Sequence, residues 1–278
     1  MTCDKKINVT IADETLRCID FGGHTVDPRY MRSKLREATD GAQYYPQSSL
    51  SDWQTSTAKL LLRQWSTLEA VEKLHLDPEV STTKRIGVLN FAHPTSPGGE
   101  FRLGSEGQEE SLARSSTLYR TLTTHHTREY YEQPGSSDGF ATHAMIYSPS
   151  VIVFRRDNGD WIKPLEVDVL SCSPVDATKA RKAWKGSMRT LREEIKKKMR
   201  ERMGHILALF ERKRVRYLIL GSFGASVGND VGMVADIWAD LLTRESARFG
   251  HSFEQVVFAV PDKDEYGKFL SASKSFKE

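Results

Sequence analysis

Glu109 and Glu110 stand side by side after Gln108, where a Pro- and Gly-broken loop gives way to a helical pattern. An apolar, strand-like run from Ile86 to Phe91 precedes the loop, which carries Pro97, Gly98 and Gly99. Glycine permits close approach of the backbone to a ligand. A helix N-terminus stabilises ionised acids in its first turn by about 0.3–1 kcal/mol each. Two adjacent carboxylates, or a phosphate beside them, favour a proton on one of the pair. Opposed environments of this kind assign acid and base roles in glycosyl-transferring sites. The arrangement suits an acid/base pair beside a sugar phosphate, although the same residues also fit an ordinary first helical turn, where acids are expected.

A second loop carries a different chemistry. Gly221, Ser222, Phe223, Gly224, Ala225, Ser226, Val227, Gly228 and Asn229 follow the apolar run Arg216–Leu220 directly. A Gly/Ser-rich loop that opens a helix offers backbone N–H groups and a positive helix end to a diphosphate. It also fits a plain tight turn. Ligands of open α/β sheets collect beyond the carboxyl ends of strands, so both loops could meet one ligand.

The elements that must position them follow from periodicity. Helical spacing is expected over Ile11–Asp20, over Trp53–Leu76 with a stripe of Leu60, Leu61, Trp65, Leu68 and Val71, over Gln108–Thr124, over Asp176–Arg212 and over Met233–Leu242. Strands are expected at Arg85–Ala92, Ala144–Tyr147, Val151–Phe154, Glu166–Ser171, Arg216–Leu220 and Gln255–Val260. Apolar strands alternating with helices predict a three-layer α/β sandwich. Residues 1–83 are read as a mostly helical extension, 84–262 as the core and 263–278 as a polar tail that frays at its end.

Composition narrows the class. The chain has 278 residues, 38% hydrophobic and 28% charged, which describes an ordinary globular protein able to bury a core without staples. Cys3, Cys18 and Cys172 are scattered and show no metal-binding spacing, so a reducing compartment, cytosol or nucleus, fits. No apolar run reaches the roughly 18 residues of a membrane span, and no signal peptide is expected. A formal net charge of +3 does not predict nucleic-acid binding. The basic cluster in Arg189–Arg216 lacks interleaved aromatics and reads as the solvated face of a long helix.

These motifs resemble the microbial-type poly(ADP-ribose) glycohydrolase family. Its signature is a glycine triplet followed, after a short spacer, by Gln-Glu-Glu, matched here by Gly98-Gly99-Glu100, Phe101–Gly107 and Gln108-Glu109-Glu110. Flanking matches include Asn90-Phe91-Ala92, Arg114-Ser115-Ser116, Ile146-Tyr147-Ser148-Pro149, Leu220–Gly224 and Gly228-Asn229. The resemblance implies a macrodomain-like α/β/α sandwich with a mixed central sheet, preceded by a helical extension. It implies hydrolysis of a glycosidic bond of ADP-ribose, with an ADP-ribosylated protein as substrate and ADP-ribose as product ligand. Glu110 falls on the family's catalytic carboxylate, and Glu109 on the residue that holds ribose hydroxyls. Asn90 and Gln108 fall within the matched motifs. The amides of Gly98, Gly99 and Gly224 through Gly228 fall where the pyrophosphate is held. No metal or other cofactor is implied, and the membrane and nucleic acid are not expected as partners.

Two departures bear on substrate choice. Glu100 replaces the third glycine, and the aromatic residue that the family usually carries between Val227 and Gly228 is absent. A carboxylate at 100 could pair with the guanidinium of an ADP-ribosylated arginine. The expected function is therefore removal of ADP-ribose from modified proteins, leaning to mono-ADP-ribosyl and arginine-linked substrates. The alternatives are poly(ADP-ribose) glycohydrolysis and ADP-ribose binding without turnover.

Overall fold

The computed structural model describes residues 3–21, 27–46, 58–81, 83–133, 136–243 and 247–272. At its centre lies a seven-stranded sheet of β1 (Gln43–Tyr45), β2 (Lys59–Arg63), β3 (Arg85–Phe91), β4 (Met145–Arg155), β5 (Trp161–Cys172), β6 (Val215–Leu220) and β7 (Gln255–Ala259). The spatial order is β1-β4-β5-β3-β6-β7-β2. Strands β5, β3, β6, β7 and β2 run parallel, while β1 and β4 pair antiparallel at one side. The sheet is mixed, as expected.

Side-chain alternation builds a core on each face. Leu218, Leu220, Val256 and Phe258 pack on one side with α8 (Met188–Arg212) and α9 (Val231–Leu242). Tyr217, Ile219, Val257 and Ala259 pack on the other with α3 (Thr67–Leu76), α4 (Gln108–Ser115) and α5 (Leu118–Leu122). Both faces of the parallel strands are covered, which accounts for their nearly continuous apolar sequences. Two helices, α1 (Cys3–Phe21) and α2 (Pro28–Gly41), precede the sheet. Ala12 and Leu16 of α1 pack on Phe101 and Ala113, so α1 braces the loop ahead of α4.

Several expected elements differ. The helix read over Trp53–Leu76 is strand β2 followed by α3 (53–57 lie outside the described residues). Leu60 and Leu62 enter one core and Leu61 the other, a period of two imposed by pairing with β7. Residues 1–83 thus supply both edge strands in addition to helices. The helix expected over Asp176–Arg212 divides into α7 (Ala177–Ala183) and α8, whose N-cap Ser187 accepts from the Thr190 N–H. Likewise Gln108–Thr124 divides at Ser116, which bridges to Val153. Ala144–Tyr147 and Val151–Phe154 belong to one strand, β4, bulged between Ser148 and Val151 with Ser150 at φ 52°. The polar tail forms helix α10 over Lys263–Ala272, with Phe269 buried against Phe258, and its end, where fraying is expected, lies outside the described residues. No helix among the described residues is long and apolar enough to cross a membrane.

Candidate active site

A cleft of about 640 Å³ opens beyond the carboxyl ends of the five parallel strands. Phe91 ends β3 in its wall and Ala92 follows, as Ser173 and Pro174 follow β5, Ser222 follows β6, and Pro261 follows β7. Ser66 and Thr67, beyond β2, close one side. This is where a parallel sheet leaves room for a ligand.

Glu110, half-buried on the wall, sits on the first turn of α4. Its carboxylate is cradled by glycines. A Cβ at Gly99 would lie 2.3 Å from Oε1, and one at Gly107 would lie 2.1 Å from Oε2. The Glu100 backbone N–H donates to Oε1 (3.2 Å). Only residues without side chains at 99 and 107 admit the carboxylate in this position.

Glu109 is 3% exposed and faces the loop instead. Oε1 accepts from Asn90 Nδ2 (3.2 Å) and the Gly98 N–H (3.2 Å), and Oε2 accepts from the His93 N–H (2.6 Å). Burial pushes its pKa up to about 8 and Glu110 nearby adds to the rise, while these three donors pull against it. Its oxygens are engaged by protein donors, so Glu109 fixes the loop after β3, where the resemblance implied a hold on ribose hydroxyls. Asn90 is fully buried, donates also to Ser171 Oγ (2.9 Å), and leaves its Oδ1 without a partner among the described residues. Gln108 is likewise committed: its amide oxygen accepts from the Phe91 N–H (2.9 Å) and its nitrogen donates to Leu89 O (2.8 Å) and Thr67 Oγ1 (3.1 Å). It extends the hydrogen bonding of β3 into α4 while lining the cleft.

The second loop arrives as a 3-10 turn, Ala225–Val227, between Gly224 (φ 86°) and Gly228 (φ 84°). Ala225, Ser226 and Val227 line the cleft; Gly221, Phe223, Gly224, Gly228 and Asn229 stand behind them. Phe223 is buried edge-on against Phe91 (ring centroids 5.5 Å apart), joining the two loops. Gly221 O accepts from Trp238 Nε1 (3.2 Å). Asn229 Nδ2 donates to Val175 O (2.7 Å) and Gly224 O (3.1 Å). Thr178 and Arg181 of α7 donate to Val227 O (3.2 Å) and Gly228 O (2.7 Å). The shortened loop is therefore braced from α7.

The expected set of pyrophosphate amides contracts. Gly98 donates to Glu109, and Gly99 to Ser96 O. Ala225, Val227 and Gly228 donate within their own turn. Gly224 and Ser226 keep N–H groups without a partner among the described residues. Glu100 also stands apart from its expected role. It is exposed, does not line the cleft, and accepts from Ser105 Oγ (3.2 Å).

Three acids of the wall were not among the expected site residues. Asp157, at the hairpin between β4 and β5, accepts from Ser66 Oγ (2.6 Å) and from the Ser111 hydroxyl beside Glu110. Glu265 of α10 accepts from Ser222 Oγ (2.6 Å), and Asp262 caps that helix. Lys179 of α7 is the cation lining this wall among the described residues, paired at 3.5 Å with Asp176. His125 and His126 stack on each other away from the cleft. Tyr130 is buried, donating to or accepting from Ser173 Oγ (2.7 Å), and Phe140 packs on Trp184.

Fold and site together define an α/β/α sandwich with a glycine-cradled carboxylate at the mouth of its sheet. The family model for the microbial-type PARG catalytic domain matches residues 12–156. The poly(ADP-ribose) glycohydrolase (PARG) structure from Thermomonospora curvata is similar at 30% identity, with a TM-score of 0.81, over 96% of this chain and 99% of that one. The same protein bound to the inhibitor ADP-HPD gives 29% identity and a TM-score of 0.79 over the same shares. PARG from Deinococcus radiodurans in complex with ADP-ribose gives 26% and 0.74, over 87% of this chain and 98% of that one. No curated protein matches the chain. This chain belongs to the microbial-type PARG family, and its macrodomain-like sandwich is the one that the sequence motifs implied.

Proposed function

We propose that this protein is an ADP-ribosyl glycohydrolase that cleaves the ribosyl bonds of poly(ADP-ribose), with Glu110 as its acid/base. One observation carries the reading: the Glu110 carboxylate is held between Gly99 and Gly107 on the wall of a cleft of about 640 Å³. That volume suits a nucleotide-sized ligand, since small-molecule sites span about 300–1,000 Å³. Relatives of this fold are poly(ADP-ribose) glycohydrolases, one of them solved with ADP-ribose.

In the proposed reaction the anomeric C–O bond breaks as Glu110 gives its proton to the departing oxygen. The sugar passes through an oxocarbenium-like state, and the resulting carboxylate then takes a proton from the attacking water. Burial raises the pKa of Glu109 and so lessens the negative charge that it adds beside that carboxylate. The Ser226 N–H group and Lys179, both on the cleft wall, are the donors offered to the diphosphate.

The arginine-directed reading rested on Glu100, whose carboxylate turns to Ser105 outside the cleft lining; polymer cleavage is accordingly favoured. The test releases ADP-ribose from two substrates, the polymer and arginine-linked mono-ADP-ribose. Polymer turnover should dominate, and inert polymer with rapidly cleaved arginine conjugates would reverse the choice. Glu110→Gln should lower turnover by about 10²–10⁴-fold while calorimetric ADP-ribose binding persists. Wild-type binding with no turnover on either substrate would mark a non-catalytic ADP-ribose reader.

A further inference from the structure

His93 follows the end of β3, is exposed, and is one of the residues that line the cleft. Its backbone is anchored by the bond from its N–H to Glu109 Oε2. The ring is anchored separately. Nδ1 accepts the backbone N–H groups of Ser96 (3.1 Å) and Thr95 (3.3 Å). A ring nitrogen that accepts amide hydrogens bears none of its own, so the neutral imidazole carries its proton on Nε2. Nε2 has no hydrogen-bond partner among the described residues. The loop therefore spends two amides to present one N–H donor at the cleft wall.

The surroundings locate that donor along a ligand. The charges acting on the ring are Glu110 of α4, Lys179 of α7 and Glu100 of the loop. Partial loss of water and Lys179 lower the ring's pKa, while Glu110 and Glu100 raise it. His93 thus stands within electrostatic reach of both the proposed acid/base and the cation offered to the diphosphate.

We propose that His93 is a ligand-binding residue whose Nε2–H donates to an oxygen at the ribose–phosphate junction, between Glu110 and Lys179. The inference rests on the reading that this cleft takes ADP-ribose. The donor fixes the reacting ribose relative to Glu110, and an orientational contact of this kind acts through binding as well as turnover.

Two substitutions separate the ring's functions. Asn at 93 keeps an acceptor at the Nδ1 position and has no atom at Nε2. Gln places an N–H near Nε2 and gives up the acceptor. Calorimetry with ADP-ribose, together with thermal unfolding, reads both. His93→Asn should weaken ADP-ribose about tenfold, the size of one lost hydrogen bond, with an unchanged unfolding midpoint. His93→Gln should retain affinity within about threefold and unfold at a lower temperature. Wild-type affinity in the Asn variant overturns the inference. So does an equal loss in both variants that follows the unfolding midpoint, because a ring that only braces the loop predicts that outcome. Either result leaves the cleft's ligand in place. Failure of the wild-type chain to bind ADP-ribose would instead remove the reading beneath it.

Discussion

At the scale of single residues, the site depends on atoms that are missing from two side chains. Gly99 adopts φ 59°, so a side chain there would meet backbone strain as well as the Glu110 carboxylate. Gly107 is the cleaner probe. Its φ of −67° and ψ of 168° are ordinary for any residue, and its one obstacle is Glu110 Oε2 at 2.1 Å from the added Cβ. Gly107→Ala should therefore displace the carboxylate without straining the chain. The expected outcome is a fall in turnover of at least about 10²-fold, as a small misplacement of a reacting group produces. Stability should drop by no more than about 1 kcal/mol, the cost of a poorer N-cap. Turnover and thermal unfolding measured on one preparation check both halves. Preserved activity would mean that Glu110 moves freely and that the glycine cradle is incidental.

At the scale of elements, α10 is the part of the fold that composition conceals. Its surface is polar, yet Phe269 is fully buried against Phe258 of β7, and Glu265 reaches Ser222 in the second loop. Phe269→Ala should cost about 3–5 kcal/mol, the range for a buried aromatic, in denaturant-induced unfolding; a loss below about 0.5 kcal/mol would match a frayed tail. The buried parallel strands β3, β6 and β7 were legible because both of their faces are apolar, and α9 because its helical period is undisturbed. Lys59–Arg63 was read as helix because three consecutive leucines satisfy a helical stripe locally; pairing with β7 decides otherwise. The same limit applies to the site. Gln108, Glu109 and Glu110 were legible as a local motif, as was the 3-10 loop. Asp157 meets Ser66 across 91 positions and Glu265 meets Ser222 across 43, contacts that exist only after the sheet has assembled. The bonds that draw Glu109 inward were hidden for a related reason: the loop folded over it supplies the donors.

At the scale of the whole molecule, the dianionic ligand proposed for the cleft meets a wall rich in carboxylates, and the protonation of Glu109 sets how much charge it meets. The raised pKa of Glu109, about 8, also has a signature in stability. Between an unfolded value near 4.5 and the folded value near 8, the native state holds one proton more than the unfolded chain. Stability contributed by this group is therefore complete below about pH 4.5 and is lost as pH rises through 8, by a few kcal/mol in order of magnitude. His143 acts in the opposite sense. Burial, helped by Arg202 and His205, lowers it to about 4, so its share of stability is gained as pH rises from about 4 towards 6.5. A wild-type profile sums the two, and comparison with Glu109→Gln isolates the carboxyl. Unfolding free energies at about pH 5, 7 and 9 should show the wild type losing ground steadily to the Gln variant. A constant difference across that range would mean that Asn90, His93 and Gly98 hold Glu109 as an anion throughout, and the cleft would then present both charges of the pair to its ligand.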